Sequence, residues 1–414
     1  MEILCLSNGH GEDAIAVRIL EQLQSLPHPP KLAALPLVGE GKAYQELNIP
    51  IIGPVMGMPS GGFIYMDGRQ LWQDVKGGLL QLTLAQYRAV RQWVKEKSGL
   101  ILAVGDIVPL LFARLTGANY AFVGTAKSEY YLRDETGWLA KTSPIERLQG
   151  SVYLPWERFL LQPPQCRAIF PRDPLTCHIL QKYLFPAYDL GNPMMDGIVA
   201  KYSLNSIDTL TILLLPGSRN PEAQRNWAKI LETTKPISEK INSSVVFLGA
   251  IASSLPLEPF YTLLYQQGWQ SQPLNSVISP ITDPQAQAFT RENATLILTQ
   301  NAYPDCLLTA NLAIAMAGTA TEQFVGLGKP VITLPGEGPQ FTYAFAEAQT
   351  RLLGESVILV EQPTKVADTI QILLTDIPRM KLIFENGLRR MGKPGAAARI
   401  AQNLGDILTR GNFC

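Results

Sequence analysis

Cysteine is scarce in this sequence, and the few that occur form no metal-binding or disulfide pattern. Five cysteines are scattered over 414 residues, an odd number without any C-x-x-C spacing. A disulfide framework or a zinc site needs paired, regularly spaced thiols, so we expect reduced cysteines in a reducing compartment. Histidine is scarcer still, with three copies, and no D-x-D motif occurs. The sequence therefore predicts neither a metal site nor a bound cofactor.

Net charge and long apolar runs are also lacking. Lysine and arginine total 35, as do aspartate and glutamate, so the formal net charge is zero. Nucleic-acid binding needs a basic face, and we expect no nucleic-acid partner. No uninterrupted apolar run approaches the roughly 18–20 residues of a membrane-spanning helix. The chain starts with a short strand and a glycine turn rather than a signal-peptide pattern. We expect a cytoplasmic protein, with peripheral contact to the inner membrane face left open.

The length and the alternation of elements indicate two domains. A chain of 414 residues with 46% hydrophobic content is too long for one ordinary core. Two successive runs of strands and helices occur, one opening with Met1–Ser7 and the other with Leu210–Leu215. A polar linker is predicted at 201–206 between them. This pattern predicts an α/β protein of two doubly wound, Rossmann-like domains that face each other.

One stretch of the second run, 311–335, has the pattern of an anion site. A small buried strand leads into Gly318-Thr319-Ala320-Thr321, which we expect to form a turn, and Glu322 is expected to open a helix. A small-residue loop before a helix N-terminus presents backbone N–H groups and a positive dipole end to a phosphate. The alternative is an ordinary strand–helix connection whose small residues merely permit close packing. At this point both interpretations stand.

The first strand is followed by a glycine turn rich in ionisable groups. A formal G-x-G-x-x-A pattern begins at Gly9, but Glu12 and Asp13 would lie against a pyrophosphate. The next strand also ends without the acidic residue of a dinucleotide site. The turn instead brings His10, Glu12 and Asp13 to the carboxyl edge of a parallel sheet, where such folds bind ligands. The alternative is that an acidic residue caps the helix and His10 is an ordinary loop histidine.

Two further features of the first half each have two interpretations. Asp106 follows a buried strand and can face His10 at the same sheet edge, or it can serve as the N-cap of the next helix. Residues 53–82 are rich in glycine, methionine and aromatic side chains, with little charge. They form either a flexible apolar surface for a greasy acceptor or membrane, or an insert packed on its own domain.

Several motifs resemble a known glycosyltransferase family in their order along the chain. LLLPGSRNPE (Leu213–Glu222), AMAGTATEQ (Ala315–Gln323) and YDLGNPMMD (Tyr188–Asp196) resemble segments of lipid-A-disaccharide synthase. SNGHGED (Ser7–Asp13) and AVGDIVPLL (Ala103–Leu111) match it more weakly. The C-terminal half is also similar to the peptidoglycan N-acetylglucosaminyl transferase, including GPQFTYAFAEA (338–348). Lipid-A-disaccharide synthase is an inverting GT-B enzyme that moves an acylated glucosamine from UDP to a lipid-linked sugar.

The resemblance implies roles by position. For the UDP-sugar donor it implies that two loops contact the diphosphate: Gly217, Ser218 and Arg219 in the first, and Gly318, Thr319, Ala320 and Thr321 in the second. It also implies that Glu322 contacts the ribose, and that Gln340 contacts the donor sugar or its phosphate. On the acceptor side it implies a base at Asp106, with His10 assisted by Glu12 as the runner-up, and substrate contacts at Gly9 and Gly11. The reaction would be inverting and metal-independent.

The resemblance also implies the domain organisation of a GT-B protein. Residues 1–203 would bind the acceptor, 204–385 the nucleotide sugar, and 386–414 would form a C-terminal helix that crosses back to the first domain. The sequence departs from the family pattern in the turn at 10–13. It also departs at Asn192, where the family usually has a histidine. These departures favour a relative that uses a different sugar and acceptor. The acceptor would be a lipid or lipid-linked sugar. The alternatives are a UDP-sugar 2-epimerase or a catalytically degenerate GT-B protein that binds nucleotide or lipid; a dinucleotide-dependent enzyme is the weakest.

Overall fold

The chain forms two compact units, each built around a parallel sheet. The computed structural model describes residues 1–56, 79–97, 99–198, 209–241, 243–274 and 279–410. One unit comprises Met1–Asp196 with Gly392–Cys414, and the other comprises Gly197–Met391. The predicted linker at 201–206 lies outside the described residues, as does the greater part of the apolar segment 53–82.

The sheet of the first unit is entirely parallel, in the order β2-β1-β3-β4-β7. Its strands are near-continuous apolar runs because helices cover both faces. Its strands are β1 (Glu2–Ser7), β2 (Lys31–Pro36), β3 (Gly99–Gly105), β4 (Tyr120–Gly124) and β7 (Cys166–Pro171), beside a hairpin of β5 (Arg133–Asp134) and β6 (Gly137–Trp138). Its helices up to the unit boundary are α1 (His10–Gln24), α2 (Lys42–Glu46), α3 (Leu79–Glu96), α4 (Ile107–Thr116), α5 (Pro144–Gln149), α6 (Pro155–Leu160) and α7 (Pro174–Lys182).

The sheet of the second unit has eight strands, in the order β10-β11-β12-β9-β8-β13-β14-β15. Among the strands that the structure describes here, the pairings of β10 with β11 and of β11 with β12 are antiparallel and the others are parallel. Its strands are β8 (Thr209–Leu215), β9 (Ser244–Ala250), β10 (Gln270–Gln272), β11 (Gln287–Arg291), β12 (Ala294–Thr299), β13 (Leu312–Ala315), β14 (Val331–Thr333) and β15 (Val357–Leu359). Its helices are α8 (Glu222–Lys240), α9 (Glu258–Gln266), α10 (Tyr303–Thr309), α11 (Thr319–Gly326), α12 (Tyr343–Leu353), α13 (Val366–Thr375) and α14 (Ile377–Met391).

The predicted return of the C-terminal helix to the first unit is confirmed. Helix α15 (Ala396–Arg410) buries Ile400, Ala401 and Leu404 in the core that also holds Ile15 of α1. The Asp196 carboxylate accepts hydrogen bonds from the backbone N–H groups of the first residues of this segment, 395–397, at 2.5–3.1 Å. A carboxylate on the N–H groups and positive end of a helix is a favourable arrangement.

Helix α14 remains with the second unit, although the expected boundary lay between residues 385 and 386. The Asn386 side-chain amide donates to Leu353 O at 2.6 Å and to Ser356 Oγ at 2.8 Å. A Cβ added at Gly387 would lie only 2.1 Å from Val325 O, so this helix packs closely on α11. The unit boundary therefore falls at Gly392. Among the described helices, none is long and apolar enough to cross a membrane.

Candidate functional sites at the two sheet edges

The two predicted anion loops of the second unit lie side by side. Strands β8 and β13 are parallel neighbours with Leu215 opposite Ala315, and Met316 N donates to Leu215 O at 2.8 Å. Both strands therefore end at the same edge, and both loops leave the sheet together. The structure thus brings two groups of predicted donor-site residues to one place: Gly217, Ser218 and Arg219, and Gly318, Thr319, Ala320 and Thr321.

The first of these loops needs glycine at Gly217. Its φ of 97° lies in the left-handed region, and an added Cβ would be 3.2 Å from Met316 O. Glycine therefore permits both the turn and the close approach of the second loop. Arg219, two residues later, is half-buried. Burial lowers the pKa of its guanidinium, and the nearby Glu222 carboxylate acts in the opposite direction.

The second loop is shorter than the sequence indicated, because α11 begins at Thr319 and not at Glu322. Gly318 is the N-cap residue, and no side-chain hydrogen bond caps this helix. The Thr321 hydroxyl instead donates back to Ala317 O at 2.6 Å. The first-turn N–H groups, which have no partner within the helix, therefore point to the sheet edge beside the Gly217 loop. This arrangement is suited to an anion.

Two further predicted donor residues belong to the same edge. Glu322 is buried within the first turn of α11, and its backbone N–H donates to Gly318 O at 3.2 Å. Gln340 is half-buried in the loop after β14. The backbone N–H groups of Gln340 and Phe341 donate to Glu222 Oε1 at 2.9 and 2.7 Å. The Gln340 loop is thus tied to the helix that follows Arg219. Contacts of Glu322 with ribose and of Gln340 with the sugar stay predictions.

In the first unit, Asp106 acts as a helix cap and is held by a second residue. Asp106 Oδ1 accepts the Val108 N–H at 2.9 Å, at the start of α4. The Asn8 side-chain amide donates to both carboxylate oxygens, at 3.1 and 3.0 Å. The prediction that Asp106 caps the next helix is confirmed by the hydrogen bond from Val108. Together with Asn8, this bond holds the Asp106 carboxylate in one place at the carboxyl edge of the sheet. Its role as a base stays a prediction.

Glu12 lies close to Asp106, and its pKa is strongly raised. Gly105 lets it approach β3, since an added Cβ would be 3.1 Å from Glu12 Cγ. Thr125 Oγ1 donates to Glu12 Oε1 at 3.3 Å. Burial, together with a smaller effect of the Asp106 carboxylate, raises the pKa of Glu12 to about 7. Two carboxyl groups close together in a low dielectric favour retention of a proton.

His10 lies near Asp13. A Cβ added at Gly39 would be 3.8 Å from both Asp13 Oδ2 and His10 Cε1. Burial raises the pKa of Asp13 to about 6, against a hydrogen bond that the Ser7 hydroxyl donates to Asp13 Oδ1 at 2.5 Å. Gly9, with a φ of 129°, is the N-cap residue of α1, and Gly11 is exposed in its first turn. The turn therefore places Glu12 near Asp106 and His10 near Asp13, and the Asp13 carboxylate also contributes to the raised pKa of Glu12.

Three residues at this edge were not singled out from the sequence. Asn8 and Thr125 hold Asp106 and Glu12, and Lys127 lines a small pocket beside Asp106. The Lys127 ammonium group pairs with the buried Glu157 carboxylate at 2.5 Å. Thr125 and Lys127 follow β4, the neighbour of β3, so their position after a buried strand was the available signal. Within the residues that the structure describes, no group of three or more His, Cys, Asp or Glu side chains could hold a metal ion.

The raised pKa of Glu12 predicts a pH-dependent cost in stability. Glu12 titrates near 7 in the folded state, against 4.5 ordinarily. Its contribution to stability is therefore fully present below about 4.5 and is lost as the pH rises through about 7. Glu12→Gln removes that loss, worth up to about 3 kcal/mol at pH 8.

The measurement is the difference in Tm between Glu12→Gln and wild type at pH 5 and at pH 8. We expect the variant to gain at pH 8, by about 2–4 °C per kcal/mol, and to gain much less at pH 5. Glu46→Gln, at an exposed glutamate of the same unit, is the matched control and should show no such change. A difference in Tm that is the same at both pH values would contradict the prediction.

Comparison with known proteins identifies the fold. No family model matches the chain, and no curated protein matches its sequence. Among solved structures, the calicheamicin glycosyltransferase CalG4 is similar with a TM-score of 0.60 and 12% identity, over 99% of each chain. MurG of Acinetobacter baumannii has a TM-score of 0.53 and 14% identity, over 98% of this chain and 99% of that one. A UDP-GlcNAc 2-epimerase of Neisseria meningitidis, bound to UDP-GlcNAc, has a TM-score of 0.52 and 14% identity, over 99% of this chain and 100% of that one.

These likenesses, at identities of 12–14%, concern the fold and not the activity. Both units have the parallel α/β sheet of a Rossmann-like domain, and the last helix packs on the first unit. The predicted fold class is thereby confirmed: the chain has the GT-B fold.

Proposed function

We propose that this protein is an inverting, metal-independent glycosyltransferase that moves a sugar from a UDP-sugar to a lipid or lipid-linked acceptor. The observation that carries the proposal is the meeting of the Arg219 loop and the α11 start at one sheet edge. A guanidinium group and a row of backbone N–H groups together are suited to a diphosphate. Lipid-A-disaccharide synthase itself is not required by this arrangement; the proposal is a glycolipid-forming relative.

In this proposal the leaving group is stabilised by the protein. Arg219 and the N–H groups at 318–321 neutralise charge on the departing UDP, the role that a metal ion has in other transferases. Glu322, buried in the first turn of α11, accepts hydrogen bonds from the ribose hydroxyls. Gln340, whose loop is tied to α8 by Glu222, contacts the donor sugar or its phosphate.

We assign the base to Glu12, with Asp106 as its charged neighbour. The resemblance implies Asp106, but both oxygens of Asp106 accept hydrogen bonds at 2.9–3.1 Å from Asn8 or Val108, whereas Glu12 Oε1 accepts a longer one, at 3.3 Å, from Thr125. Burial sets the pKa of Glu12 at about 7, close to the working pH that an efficient general base needs. The acceptor hydroxyl passes its proton to Glu12, its oxygen forms the bond to the anomeric carbon, and the bond to UDP breaks with its electron pair on the phosphate oxygen.

An exposed apolar surface with arginines supports a lipid acceptor. Four large side chains on α4 and α6 are exposed, and we call them the apolar face: Leu111, Leu115, Trp156 and Phe159. The Arg114 guanidinium lies 4.9 Å from the centre of the Phe159 ring, which joins the two helices at this surface. The Arg158 guanidinium lies 4.4 Å from the Tyr183 ring centre nearby. Aromatic and leucine side chains beside arginines are suited to an anionic lipid surface.

The apolar face predicts vesicle binding that depends on its aromatic residues. Trp156 and Phe159 are 55% and 54% exposed, so a double change to serine should leave the fold intact. We expect it to weaken binding to phosphatidylglycerol–phosphatidylcholine vesicles at least tenfold, since each buried aromatic contributes roughly 1.5–3 kcal/mol. The measurement is co-sedimentation at two salt concentrations, and salt should weaken the wild-type interaction.

The matched control is the double change Ile372→Ser and Ile377→Ser, at two exposed apolar residues of the second unit. This control should bind vesicles as the wild type does. Equal binding by the Trp156/Phe159 variant and the wild type would contradict a lipid-facing role for this surface.

The proposed transfer is tested by incubating the protein with labelled UDP-sugars, with and without membrane lipid extract. Release of UDP only when lipid is present, with the label in a glycolipid, supports the proposal. Binding of UDP without turnover on any acceptor would instead indicate a degenerate GT-B protein.

A UDP-sugar 2-epimerase is the second candidate, and the Glu12–Asp106 pair favours it specifically. Inversion at a carbon next to the anomeric centre requires a proton to be removed and returned, and two carboxyl groups with raised pKa values are suited to that. Deuterium incorporation into the sugar from D2O, without any acceptor, would support this candidate against transfer.

A further inference from the structure

One face of α8 is hydrogen-bonded to the backbones of the three loops that carry the predicted donor-site residues: the Gly217 loop, the loop before α11 and the Gln340 loop. We call these three the donor loops. Glu222, Arg225, Asn226 and Lys229 follow the i, i+3, i+4, i+7 spacing of a single helix face. That spacing is usual for an apolar stripe, yet all four positions carry polar or charged side chains. We call these four residues the loop-tying face.

Asn226 joins the two anion loops to each other. Its side-chain amide donates to Pro216 O at 3.0 Å and to Met316 O at 3.4 Å. These carbonyl groups directly precede Gly217 in the first loop and Ala317 in the second. Asn226 is only 3% exposed, so its position is set by the surrounding core.

The other three residues hold the loop that carries Gln340. Lys229 Nζ donates to Pro335 O at 2.6 Å, and Arg225 Nη2 donates to Gly338 O at 2.5 Å. Glu222, 6% exposed, accepts the N–H groups of Gln340 and Phe341. The segment from 335 to 341 is thereby attached to α8 at three points along its length.

We infer that the loop-tying face sets the mutual positions of the three donor loops, with Glu222 and Asn226 as positioning residues. Glu222 is the first residue of α8, and its carboxylate accepts the Gln340 N–H. The next residue, Ala223, donates its N–H to Arg219 O at 2.8 Å. Glu222 therefore places Gln340 relative to Arg219. Asn226 places the Gly217 loop relative to the α11 start. This inference rests on the proposed donor function, since it states how that site is held in shape. The four residues act through backbone groups and not on the substrate.

The test of Glu222 is a double-mutant cycle with Gln340. In the wild type, Gln340→Ala should lower kcat/KM for the UDP-sugar about tenfold. In a Glu222→Ala background the loop is released, and the same change should have less than a twofold effect. Glu222→Gln keeps an oxygen that accepts both N–H groups, and it should restore the tenfold effect of Gln340→Ala. A role in general stability alone would leave the effect of Gln340→Ala the same in every background.

Asn226→Asp is the second variant, in case Glu222→Ala does not fold. It keeps the shape but replaces the donating amide with an oxygen that repels the carbonyl groups of Pro216 and Met316. We expect at least a tenfold rise in the Kd for UDP, measured by calorimetry, and a smaller rise for Asn226→Ala. Glu232→Ala, at an exposed residue of the same helix, should leave UDP binding unchanged.

The outcomes separate this inference from the proposed function. A wild-type protein that does not bind UDP would overturn both. A wild-type protein that binds UDP, combined with an unaltered Kd in Asn226→Asp and an additive Glu222–Gln340 cycle, would overturn the inference alone. Loss of UDP affinity in Asn226→Asp together with a non-additive cycle supports it.

Discussion

Glu12→Gln is expected to lower kcat by about 10²–10⁴-fold, the usual contribution of a general base, while the Kd for UDP stays within about twofold. Glutamine is similar in shape but cannot take a proton from the acceptor hydroxyl. The loops proposed to bind the diphosphate belong to the second unit, so UDP binding should be unaffected. In the wild type kcat/KM should rise with pH through about 7, because Glu12, whose pKa is raised to about 7 chiefly by burial, must be ionised to act.

Asp106→Asn distinguishes the two carboxyl groups. Removing the negative neighbour lowers the pKa of Glu12, so the pH profile should move to lower pH with a smaller loss in kcat. A reversed order, with the greater loss in Asp106→Asn, would assign the base to Asp106, as the resemblance implies. His10→Ala should cost less than tenfold, since His10 lies beside Asp13. Full turnover in both carboxyl variants would contradict a base at this edge.

Arg219→Ala is expected to raise the Kd for UDP by about 10–100-fold. A charge-assisted hydrogen bond contributes roughly 1.5–3 kcal/mol, and each 1.4 kcal/mol is about tenfold in affinity. The Kd of Arg219→Lys for UDP should lie between those of the wild type and of Arg219→Ala, because lysine keeps the charge but lacks the paired N–H donors of the guanidinium group. The measurement is calorimetry with UDP at two salt concentrations.

The matched control for Arg219 is Lys235→Ala, at an exposed cation of α8. It removes the same formal charge from the same unit and should leave the Kd for UDP unchanged. An Arg219→Ala variant that binds UDP as tightly as the wild type would remove the basis of the donor site.

Much of the local structure follows from the residues themselves. Continuous apolar runs predicted strands buried on both faces, and the predicted strands at 1–7 and 210–215 occur as β1 and β8. The start of α11 was predicted three residues late, because Gly318 and the β-branched Thr319 and Thr321 have low intrinsic helix propensity. The Ala317 carbonyl, which accepts hydrogen bonds from the Thr321 hydroxyl and from the Gln349 amide, stabilises the earlier start. The second of these bonds comes from a residue 32 positions away along the chain.

The sequence by itself therefore determined the α/β alternation, the two small-residue loops and the acidic turn, since each depends on residues only a few positions apart. Only the tertiary structure decided which loops meet. Strands β8 and β13 are neighbours although they lie about a hundred residues apart, and hydrogen bonding across a sheet is not a local property. The same holds for chemistry: the pKa of Glu12 depends on burial and on Asp106. Neither the desolvation nor the distance to that neighbour exists before the chain folds.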